Sequence, residues 1–132
     1  MLVKQTMTFV RAVSITALVA LGSLAQVALA DDATATKTIA GVLAGLNHFP
    51  SAEDKAALAA IASDESNGMA VRAVAGAVAE IQHAATAEGK AAMQQIVASD
   101  MANAQAKALA EIVLNINHVP SAEAKATLQE MM

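Results

Sequence analysis

Three stretches of the chain align with one another at a spacing of 35 residues, without a gap. The first, KTIAGVLAGLNHFPSAEDKAALAAI, runs from Lys37 to Ile61. The second, RAVAGAVAEIQHAATAEGKAAMQQI, runs from Arg72 to Ile96, and the third, KALAEIVLNINHVPSAEAKATLQEM, from Lys107 to Met131. A base opens each stretch (Lys37, Arg72, Lys107), and alanine follows at Ala40, Ala75 and Ala110. An amide precedes a histidine in each: Asn47-His48, Gln82-His83, Asn117-His118. A hydroxyl comes next (Ser51, Thr86, Ser121), then Glu53, Glu88, Glu123 and Lys55, Lys90, Lys125. Agreement of this kind points to duplication of one unit, and a unit of this length is one supersecondary element that buries its apolar face against its neighbours.

The unit reads as two helices. Ile39, Val42, Leu43 and Leu46 lie at i, i+3, i+4 and i+7, which is one stripe of a helix. Val71, Val74, Val78 and Ile81 form a similar stripe, as do Leu109, Ile112, Val113 and Ile116. The second half is shorter in apolar content: Leu58 with Ile61, Met93 with Ile96 and Val97, Leu128 with Met131. Between the halves lies His48-Phe49-Pro50-Ser51. Proline lacks the amide donor and cannot continue the first helix, while Ser51 is a good N-cap for the second. Pro120 and Ser121 repeat this; Ala85 and Thr86 take their places in the middle unit. The result is a helical hairpin. Between units, Asn67-Gly68 predicts a helix stop. The matching stretch from Ser99 to Asn103 has neither Gly nor Pro, and the stripe Met93, Val97, Met101, Ala104, Ala108, Ile112 favours a helix running straight through it.

Ahead of the repeats, Lys4 and Arg11 precede an apolar run from Ala12 to Ala30, which ends in Ala28-Leu29-Ala30 before Asp31-Asp32. A positive end, an apolar middle and a small-x-small exit predict a secretory signal peptide over residues 1–30, cleaved after Ala30. The expected product is a single all-helical domain, 31–132, with repeats at about 36–66, 71–101 and 106–132, and no stable membrane anchor after cleavage.

The mature part would carry six basic and twelve acidic residues, a net charge of −6. That surface repels phosphate backbones and argues against nucleic acid as a partner. Phe49 is its only aromatic residue, so stacking platforms for bases or sugars are missing. The chain has no cysteine, which excludes disulfides, thiolate metal sites and thiol catalysis.

Histidine is the one side chain with a chemical argument. His48, His83 and His118 occupy one repeat position, and imidazole is the commonest transition-metal ligand. Copper, zinc or nickel would be the cofactor, with methionine thioethers (Met69, Met93, Met101, Met131, Met132) as further donors for Cu(I). Against this stands a capping role at helix C-termini. Helices packed about 8–10 Å apart should also bring at best two of the three rings together. The methionines read chiefly as core filler. His48 and Ser51 do not make a nucleophile and base, because no orienting acid or oxyanion site accompanies them. The residues therefore predict an alanine-rich all-α protein, three helical-hairpin repeats in a small bundle or short solenoid. It would be periplasmic or secreted, from a Gram-negative bacterium, and not an enzyme. Its expected role is interaction with an envelope protein partner or structural support; the alternative is transition-metal binding through His48, His83 and His118.

Overall fold

In the computed structural model the described residues are 32–132; the expected signal peptide lies outside them. The described chain is all-helical, with six helices and no strands, in a compact bundle. Helix α1 spans 32–44, α2 Ala52–Ser63, α3 Met69–Ala79, α4 Ala87–Ala98, α5 Ala104–Asn115 and α6 Ala122–Met131. Among the described residues, no helix is long and apolar enough to cross a membrane.

The two kinds of helix differ in how much they bury. Ile39, Val74 and Leu109 have no exposed surface, nor have Ala40, Ala75 and Ala110, nor Leu43, Val78 and Val113. These nine positions put the core on α1, α3 and α5, as the apolar stripes require. Helices α2 and α6 each bury one residue, Leu58 and Leu128, and lie on the outside. Met93 does the same work on α4, with Ile96 beside it. Helix α2 packs against α3, and α4 against α5. At the other end of the chain, a methyl placed on Gly41 of α1 would meet Met132 Sδ at 3.7 Å, so the end of α6 lies against α1.

Local chemistry starts each outer helix. The Ser51 hydroxyl accepts from the Asp54 amide at 3.1 Å, Thr86 from Gly89 at 3.0 Å and Ser121 from Ala124 at 3.1 Å. Each bond satisfies an amide that the first helical turn leaves without a partner. The first junction is also tied down. The Arg72 Nε donates to the Ala62 carbonyl at 3.0 Å, placing a cation on the negative end of α2. Two hydrogen bonds from Ser66 hold the Asp64 carboxyl below the usual carboxylate range, with a smaller contribution from Arg72.

The second junction differs from the sequence expectation of a continuous helix. Helix α4 stops at Ala98 and α5 starts at Ala104. Asn103 decides the matter: its side chain accepts from the Ala106 amide at 2.8 Å and starts a new helix. Met101 then projects into solvent at 96 % exposure instead of joining a stripe, and Met69, the first residue of α3, is 84 % exposed. Core filling holds for Met93, which is fully buried, and fails for these two.

Helix α3 has a remote cap. Gly68 occupies its N-cap and has no side chain to offer, and Asp32 of α1 supplies the acceptor, with Oδ1 2.6 Å from the Gly68 amide. Asp32→Ala is expected to destabilise the protein by about 1 kcal/mol, a typical cap loss, and urea titration measures it. An unchanged midpoint would mean that water replaces the carboxylate without cost.

Candidate metal centre

The histidines sit beyond the ends of α1, α3 and α5, in the turns that lead to the outer helices. Each has a positive φ: 72° at His48, 67° at His83 and 67° at His118. These three are the only non-glycine residues of the described chain in that region. The flanking residues bond across them. Phe49 N donates to Asn47 O at 2.9 Å, and Val119 N to Asn117 O at 2.8 Å. In the middle turn the bond is Gln82 N to Ala84 O at 3.3 Å. In the first and third turns the carbonyl of residue i accepts from the amide of i+2 around a positive φ, the pattern of the rare, strained γ-turn; the bond of the middle turn has the opposite polarity. Glycine adopts a positive φ at the least steric cost, yet histidine stands there three times.

The turns then join each other. His48 N donates to His118 O at 2.8 Å, His83 N to His48 O at 2.7 Å, and His118 N to His83 O at 2.6 Å. The three backbones close a triangle of hydrogen bonds, all running in one sense. Because of this triangle, the side chains leave the backbone from three neighbouring points. Ring centroids are 5.1 Å apart for His48 and His83, 5.1 Å for His48 and His118, and 5.0 Å for His83 and His118. One ligand atom from each ring can be chosen so that all lie within 4.8 Å of one another, and none of the three residues is buried.

This arrangement overturns the expectation that at most two rings could meet. That expectation treated the histidines as riding on packed helix walls. They instead lie past the helix ends, where the chain is free to turn inward. The capping role is also not what the rings do: among the described residues, no imidazole bonds a helix carbonyl. The ring of His48 instead meets its neighbour's side chain, Nδ1 lying 2.6 Å from Asn47 Oδ1. An amide oxygen only accepts, so Nδ1 is the donor of this bond, and in the neutral ring the lone pair is then on Nε2. A hydrogen bond on one ring nitrogen that frees the other for metal is the usual support of a ligating histidine.

The rings are not yet arranged for an ion. His48 and His118 are stacked at 21° between planes, whereas His83 stands nearly perpendicular to both, at 87° and 80°. Bonds of about 2.0–2.1 Å to a metal would hold the nitrogens roughly 3.3 Å apart in a tetrahedral site.

The methionines do not join this site. Met69 opens α3 and Met101 lies in the second junction, at the opposite ends of α2 and α4 from the turns. A 12-residue helix such as α2 is about 18 Å long. Sequence reasoning singled out the three histidines and the amide before each one, but missed the positive φ and the backbone triangle. The signal available was an amide–histidine pair at the same point of three turns. No family model matches the chain, and neither curated proteins nor solved structures give a match.

Proposed function

We propose that this is an exported protein of three duplicated helical hairpins that binds a divalent transition metal ion through His48, His83 and His118. The observation that carries the reading is the convergence of these imidazoles to within 4.8 Å on a closed triangle of backbone hydrogen bonds. Three nitrogen donors suit zinc, copper and nickel, and leave at least one coordination position for another ligand. Strain supports the same reading. Positive φ at a non-glycine residue concentrates at functional sites, where the surrounding fold holds it in place. The amino-terminal pattern supports export to the periplasm or beyond, where an acidic, cysteine-free chain could hold metal without thiol chemistry.

Isothermal titration of the protein, purified without a histidine tag, tests the reading. Zinc, copper(II) and nickel are added separately at neutral pH. Binding at micromolar concentration or tighter, abolished in the His48→Ala, His83→Ala, His118→Ala triple variant, is the expected result. Heat signals that are the same in the triple variant would place the metal elsewhere and defeat the proposal.

The interaction role expected from the sequence meets the metal site on one face. Phe49 and Val119, each next to a histidine, are exposed at 59 % and 42 %. A partner docking there would touch the imidazoles as well.

A further inference from the structure

We infer that the ion bound by this face is shared between two copies of the chain, three imidazoles from each, so that the metal clamps a face-to-face dimer. The inference rests on the metal-binding reading and adds its partner. Three nitrogens converging from one side supply one triangular face of an octahedron. The opposite face points to solvent, since none of His48, His83 and His118 is buried. An ion that prefers six donors is therefore half-coordinated by one chain. A second copy supplies the same three donors in the geometry that completes the set.

The surroundings of the triad suit a copy of the same surface. The nine residues 47–49, 82–84 and 117–119 include no Asp, Glu, Lys or Arg, in a chain of net charge −4. A symmetric two-fold contact brings each patch against itself, so a charged residue near its centre faces its own like charge. Amides do not have this problem, because each both donates and accepts. Asn47, Gln82 and Asn117 are exposed around the rings. Phe49, at 59 % exposure, and Val119, at 42 %, are large hydrophobics left open at the matching position. Apolar surface is likewise self-complementary. Elsewhere the acidic surfaces repel, which keeps the contact dependent on the cation.

Nickel(II), which accepts six nitrogen donors, is the probe. Native mass spectrometry and sedimentation velocity follow its addition in steps to the untagged protein. The expected result is saturation at half an equivalent of nickel per chain, with the mass doubling over the same range. The double variant Phe49→Glu, Val119→Glu sets like charges against each other across the contact and leaves the imidazoles in place. It is expected to bind a full equivalent of nickel per chain and to remain monomeric. Saturation of the unaltered protein at one equivalent with monomer mass would overturn the shared site and leave the metal-binding reading standing. A double variant that still dimerises at half an equivalent would overturn the face-to-face contact. Absence of any nickel binding by the unaltered protein would remove both.

Discussion

His83→Gly should weaken metal binding by about 100-fold and leave the fold as stable as before or slightly more so. The two effects have separate causes. Structural zinc sites with four ligands bind with roughly 10–16 kcal/mol, so one ligand contributes about 3 kcal/mol, which corresponds to about two powers of ten. Stability moves the other way because His83 has a φ of 67°. An L residue in the left-handed region costs about 1–2 kcal/mol, and glycine avoids that cost while losing about 0.5–1 kcal/mol of chain entropy on folding. The net gain is about 0.5–1 kcal/mol. The backbone bonds from His83 N to His48 O and from His118 N to His83 O need no side chain and stay in place. Competition titration against a chelator reads the affinity, and thermal unfolding without metal reads the stability. His83→Gly that lowers the melting temperature by several degrees would show that the imidazole supports the turn. That outcome would return the histidines to a purely structural role.

The largest loss of stability is expected from Leu128→Ala, at about 3 kcal/mol. Leu128 is the one buried residue of α6 and has no exposed surface. Leucine-to-alanine changes in a packed core cost about 2–5 kcal/mol, from lost transfer energy and from the cavity left behind. A ten-residue helix is too short to persist in water by itself. Without Leu128, α6 would keep the Ser121 cap, the partly buried Met131 and the contact of Met132 with α1. Amide hydrogen exchange should therefore rise throughout α6, while amides around Leu43, Val78 and Val113 stay protected relative to global unfolding. Protection of α6 at its original level would mean that the contact of Met132 with α1 suffices to hold it.

How much of this was legible before the structure depends on whether the signal is local. The stripes on α1, α3 and α5 come from side chains three and four apart in the chain. A period of that kind can be read directly, and those residues form the core, except Ile112, which is partly buried against it. The turn caps Ser51, Thr86 and Ser121 were legible for the same reason, since a hydroxyl bonds an amide three residues on. The second junction misled because its side chains are compatible with a helix. Only the Asn103 cap, seen with α5 packed on α4, shows that the chain stops and restarts.

Residue types at matching positions were sufficient to name His48, His83 and His118 as the candidate ligands, and periodicity was sufficient to specify an all-helical chain. Their meeting was settled in three dimensions. The donors that close the backbone triangle come from turns 35 and 70 residues apart, and no local pattern encodes a distance between them. The Asp32 cap on Gly68, across 36 residues, has the same origin. A helix follows from the order of neighbouring side chains, whereas a site made from three turns exists only after the helices have packed and brought their ends to one place.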